Sequence, residues 1–133
     1  MPAGAGSAFC AGKAAGAPSA AAKAAIAFAC DQIGEAYVWA AAGPNTWDCS
    51  GLTMAAFAAG GVSLPHSSRL QAGYGTSVSS SSIMPGDLVF FNSPISHVGI
   101  ALGGGLMVHA PHTGSVVKVA SMYKAPSAVV RLG

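Results

Sequence analysis

The sequence predicts an α+β fold, because its two hydrophobic patterns are segregated along the chain. Runs of helix-forming residues lie in the first half, from Ala20 to about Ile33 and from Leu52 to Ala59. Short, β-rich apolar runs crowd into the second half, at 88–91, 97–102, 106–110, 116–120 and 129–132. A Gly103-Gly104-Gly105 turn makes two of these runs a hairpin. The expected architecture is therefore N-terminal helices packed on a central antiparallel β-sheet.

Residues 1–18 are Ala, Gly and Pro with little periodicity and read as a tail or linker, leaving 19–133 as the folded domain. Ser19 is a natural N-cap for the first helix, in which Ile26, Phe28 and Ile33 stand among alanines, and Gly34 closes it. Tyr37-Val38-Trp39 reads as extended and Gly43-Pro44-Asn45-Thr46 as a turn. The helical run that ends at Gly60-Gly61 follows Trp47-Asp48-Cys49-Ser50-Gly51, which puts Asp48 or Cys49 at its N-terminus. Leu64 to Ser68 is extended and then turns, Arg69 to Tyr74 suits a short helix, and Ser79 to Ser82 a loop. Met84-Pro85-Gly86-Asp87 is a turn that delivers Leu88-Val89-Phe90-Phe91 as a buried strand.

The 133 residues suit one domain; 52% are hydrophobic and only 8% charged, against roughly 25% charged in ordinary soluble domains. That balance excludes a disordered chain. Six scattered Lys and Arg make no basic stripe, so no nucleic-acid partner is expected. The mean hydropathy of +0.53 comes largely from alanine. The most apolar stretch, Ala14 to Cys30, is interrupted by Pro18, Ser19 and Lys23. It falls short of the roughly 20 apolar residues that a bilayer span needs. No basic start or Leu-rich core follows Met1, so no signal peptide is visible. The expectation is a piece of a longer precursor, or export without a cleaved signal.

Cys49 is the first candidate for chemistry, since a thiol at a helix N-terminus is biased toward the nucleophilic thiolate. It needs a base. His97 opens one strand of the predicted hairpin and His109 ends the next, so the turn brings both to one end of adjacent strands. His97 can then serve as base and His109 can orient it, which is the general logic of a nucleophilic triad. Against this stand simpler readings: a buried, inert Cys49, Asp48 as an N-cap only, and Trp39 and Trp47 as core or groove wall. Asp31 and Glu35 read as solvated charges, and His66 and His112, for which the sequence reveals no partner, as surface or loop residues. A zinc site built from Cys49, His97, His109 and His112 has suitable ligand types but no common zinc spacing.

Six ordered segments carry a resemblance. Asp48-Cys49-Ser50-Gly51-Leu52 resembles the nucleophile motif of the NlpC/P60 family of cell-wall peptidases, and Tyr37-Val38-Trp39 its Tyr-x-Trp segment. Leu64-Pro65-His66-Ser67-Ser68-Arg69-Leu70-Gln71 resembles its Leu-Pro-Arg-x-Ser-x-x-Gln stretch, and Pro85 to Phe91 its central strand. Ser96-His97-Val98-Gly99-Ile100 matches the strand of the catalytic His, and Met107-Val108-His109-Ala110 the position of the third polar residue. The resemblance implies a papain-like fold and a cysteine endopeptidase that cuts the peptidoglycan stem, typically between D-glutamate and diaminopimelate. It implies Cys49 as nucleophile, with its backbone N–H a candidate oxyanion donor, His97 as base and His109 as orienting residue. Tyr37 would lie beside the site, and Asp48, Ser68 and Arg69 would line the substrate groove. It implies no cofactor or metal, peptidoglycan stem peptides as partner, and a monomer secreted to the cell wall or periplasm. A cognate inhibitor or targeting domain would be its protein partner.

Two departures touch the groove: Ala40-Ala41-Ala42-Gly43 stands where the family has Gly-Gly, and His66 where it has Arg. The same fold also serves an amidase, an acyltransferase, a secreted effector or toxin, or a non-catalytic wall-binding module. For an exported enzyme, Cys10 and Cys30 either pair as a disulfide, sparing Cys49, or remain two free thiols. The residues before Ala20 are placed upstream of the first helix, where they can occlude the groove.

Overall fold

The structure, a computed structural model, describes residues 6–133. Four helices precede most of the sheet: α1 (Ser7–Gly12), α2 (Ala20–Asp31), α3 (Cys49–Ala59) and α4 (Ser68–Gln71). Six strands follow, β1 (Thr76–Ser77), β2 (Leu88–Phe91), β3 (His97–Gly103), β4 (Leu106–His109), β5 (Lys118–Ser121) and β6 (Ala128–Arg131). They form one antiparallel sheet in the order β1-β6-β2-β3-β4-β5. This is the expected α+β layout.

Alternation along the strands gives the sheet two faces. Leu88, Phe90, Val98, Ile100 and Val108 point at the helices and join Ala25, Ile26 and Ala29 of α2 and Leu52, Ala56 and Phe57 of α3 in the main core. Small alanines let α2 lie close to α3. Val89, Phe91, Ala101, Met107 and Val129 form a second cluster on the other face, covered by Val78, Ile83 and Met122. At one edge of that cluster Arg131 of β6 grips buried Asp87 with two 2.8 Å hydrogen bonds, fixing the turn that starts β2.

The N-terminal stretch differs from the expected tail. Residues 1–5 lie outside the described residues. From Ser7 to Gly16 the chain is helical, as α1 and a following 3₁₀ turn. Cys10 is fully buried and disulfide-bonded to Cys30 of α2. The Ala- and Gly-rich composition gives no amphipathic signal, and the covalent tether supplies the anchorage. Ser19 caps α2 as expected, accepting from the Ala22 N–H. The helix stops at Asp31, before Ile33, and Gly34 with φ of 95° closes the turn two residues beyond the C-cap. Strand β1 escaped the sequence reading because its two residues are exposed and polar.

Candidate active site

Asp48 begins the site. Its side chain accepts from the Gly51 N–H at 2.7 Å and so caps α3, placing Cys49 in the first turn. The second carboxylate oxygen accepts from the Ala40 N–H at 2.9 Å, and the His66 Nε2–H donates to the first at 2.8 Å. One buried carboxylate thus holds the loop after Tyr37, the start of α3 and the loop before α4. His66, exposed in a loop as expected, has a partner that the sequence did not reveal. Gly51 is required here, because a Cβ on it would lie 2.1 Å from the Ala41 carbonyl oxygen.

Gln71 does the same work on the other side of α3. Wholly buried, it donates to the carbonyls of Ser50 (3.0 Å) and Pro65 (2.8 Å) and accepts from the Thr53 hydroxyl (2.6 Å). It hangs α4 beside the turn that carries Cys49. The sequence pattern contains Gln71, but its role is visible only once the partners are in place. Ser68, half-buried, and Arg69, exposed, ride on α4; among the described residues neither side chain bonds to Asp48 or Cys49. Tyr37 is half-buried and feels Cys49. Burial raises its pKa first, and the Cys49 and Asp48 charges add to that.

His97 and His109 meet as the hairpin predicts, with His97 Nε2 and His109 Nδ1 2.8 Å apart. Gly99 makes room for this, since a Cβ there would sit 3.3 Å from the Cβ of His109. Both rings are buried and held neutral. Burial, and secondarily His112, lowers His97 from 6.5 to about 4. Burial, then His97, Lys118 and His112, lower His109 to about 3. Among the described residues no protein group bonds His97 Nδ1, whereas His109 Nε2 is buried without a partner.

Cys49 is half-buried and free. Burial pushes its thiol pKa up and Asp48 adds to the rise; backbone hydrogen bonding from Val98, Ser50 and Cys49 itself pulls it down without reversing it. The expected lowering at the helix N-terminus is therefore outweighed by desolvation. Cys49 approaches β3 at Val98, the residue after His97, and makes no hydrogen bond to the imidazole among the described residues; such contacts commonly tighten only when substrate binds. Trp47 is core, edge-on to Phe28 at 5.7 Å with its Nε1–H on Glu35, while Trp39 is 80% exposed. Among the described residues no three His, Cys, Asp or Glu side chains converge to hold a metal ion.

Residues 34–130 match the sequence profile of the NlpC/P60 family. The chain belongs to the NlpC/P60 family. Over 91 residues it is 47% identical to a probable endopeptidase of Mycobacterium tuberculosis, covering 68% of this chain and 24% of that protein. It is 50% identical to the probable endopeptidase p60 of Listeria monocytogenes, covering 67% of this chain and 19% of that protein. The chain thus spans a quarter or less of these relatives. Among solved structures, this NlpC/P60 chain is 39% identical to the NlpC/p60 domain of the peptidoglycan hydrolase SagA, with a TM-score of 0.77, covering 84% of this chain and 98% of that one. It is 34% identical to a structure of the resuscitation promoting factor interacting protein RipA, with a TM-score of 0.75, covering 84% of this chain and 61% of that one. RipA structures carry mutations at a cysteine, at a histidine and at a glutamate twelve positions after that histidine.

Proposed function

We propose that this NlpC/P60 domain is a cysteine endopeptidase of the bacterial peptidoglycan stem, acting outside the cytoplasm on the D-glutamyl–diaminopimelate bond, with Cys49, His97 and His109 as its triad. The observation that carries the reading is the His97–His109 pair, 2.8 Å apart, on the strand whose next residue, Val98, hydrogen-bonds Cys49 through its backbone. The twelve-residue separation of His97 and His109 equals that of the histidine and glutamate altered in RipA. SagA, a peptidoglycan hydrolase, supplies the substrate class.

The protonation states dictate the order of events. Resting Cys49 is a thiol and resting His97 a neutral imidazole. Substrate aligns them, and His97 takes the thiol proton at Nδ1 as the sulfur attacks the scissile carbonyl carbon. This requires the tautomer in which His97 Nε2–H donates to His109 Nδ1, so His109 carries its own proton on Nε2. The tetrahedral oxyanion forms near the Cys49 backbone N–H at the start of α3. His97 then gives its proton to the leaving amine, the C–N bond breaks, and a thioester remains. Water, deprotonated by His97, attacks the thioester and restores the thiol. Tyr37 borders the nucleophile and contacts the acyl side of substrate. Ser68 and Arg69 line the groove along α4, and Asp48 acts there by holding the walls together.

Purified peptidoglycan and its soluble muropeptides, digested by wild type and by Cys49→Ala and read by mass spectrometry, test the proposal. The expected result is a cut between D-glutamate and diaminopimelate that is lost in Cys49→Ala while the fold persists. Equal products from both proteins would overturn the mechanism.

A further inference from the structure

A cleft of about 520 Å³ opens on the sheet face opposite the helices. Its lining includes His97 and His109, with Lys118, His112 and Tyr123 as walls, and does not include Cys49. We propose that this cleft receives the residue that departs with the amine, and that Lys118 selects leaving residues that carry a carboxylate. The placement rests on the peptidase reading above. The sulfur bonds the acyl carbon, whereas His97 protonates the leaving nitrogen. A cleft bordered by the acid and not by the nucleophile therefore lies on the leaving side.

The charge follows from sheet register. His109 of β4 pairs directly with Lys118 of β5, so the two side chains share a face as cross-strand neighbours. His112 stands on the loop between these strands, its ring Nδ1–H donating to the Thr113 carbonyl. Tyr123 stacks on Phe91 at 4.9 Å and forms the wall that feels the Cys49 charge. The chain has only four acidic residues, and none borders the cleft. Asp48 is bound to His66, Asp87 to Arg131, and Glu35 to the Trp47 indole. Among the described residues Lys118 forms no ion pair, and the imidazoles of His97 and His109 beside it are neutral. Lys118 also depresses the pKa of His109, in keeping with its place against the pair. An anionic group in the cleft would satisfy the ammonium in a partly desolvated setting, where a charge-assisted hydrogen bond is strong.

The test uses two probes: diaminopimelyl-alanine with its C-terminus amidated, and with its side-chain carboxyl either free or converted to a carboxamide. Both are titrated by NMR into Cys49→Ala protein, with and without a change at Lys118. The free carboxylate should bind about tenfold more tightly, the discrimination of one charge-assisted hydrogen bond, and should shift the ring signals of His97 and His109. Lys118→Arg should keep the preference and Lys118→Met should level it. Equal affinities, no binding of either probe, or a preference that survives in Lys118→Met would each overturn the proposal. A wild type that cuts no stem peptide, with the binding preference intact, would instead remove the peptidase reading and leave a carboxylate site.

Discussion

In the proposed mechanism His97 takes a proton from a thiol, yet its surroundings hold it neutral. Burial lowers it to about 4, so the form that accepts a proton persists well below neutral pH and gives way only as pH falls through that value. Cys49 is shifted the opposite way, upward. The reactants are therefore a neutral pair over a broad range. The expected profile of kcat/KM on a short stem peptide stays near its neutral value at pH 5.5 and falls toward pH 4. An acid limb centred at the ordinary histidine value of 6.5 would show that His97 is not held as described. The place of Cys49 in the first turn of α3 and the meeting of His97 with His109 were legible in the sequence because a helix start and a glycine turn fix them locally. The direction of the Cys49 shift was not, because desolvation depends on what packs over the sulfur. The partner of His66 was not legible for a similar reason, since Asp48 is eighteen residues away.

At the level of elements, the legible parts are those with a strong local period. Helix α3 and strands β2, β3, β4 and β6 fall within a residue or so of the expected bounds. Lys118 could not be placed beside His109 without the β4–β5 register, because nothing in either strand alone specifies the pairing. Helix α1 carries no apolar stripe, and its docking depends on a disulfide that the spacing left open. The tightest element contact is where α3 meets the 40–42 loop. Gly51→Ala forces a methyl against the Ala41 carbonyl, 2.1 Å from its oxygen. It should cost about 1–3 kcal/mol, seen as a lower urea midpoint, together with reduced activity, because the same contact sets the height of Cys49. A variant as stable and active as wild type would mean that the loop yields freely.

For the whole molecule, the Cys10–Cys30 bridge joins residues twenty apart and makes the first helix part of the domain core. A cross-link of that span stabilises by about 3 kcal/mol, chiefly by restricting the unfolded chain. Reduction should lower the denaturation midpoint accordingly while the folded protein keeps its sheet. Alkylation of the unreduced, unfolded protein should add a single adduct, at Cys49, and three after reduction. Three adducts without reductant would contradict the bridge.

Asp48 gives the site a single point of failure. Three chain segments near Cys49 converge on one carboxylate. Fluctuations that free any one of them weaken the hold on the other two. The loop after Tyr37, the loop before α4 and the first turn of α3 are therefore tied to one another through a single side chain. A substitution that reshapes the surroundings through this carboxylate therefore also moves the helix start that carries Cys49.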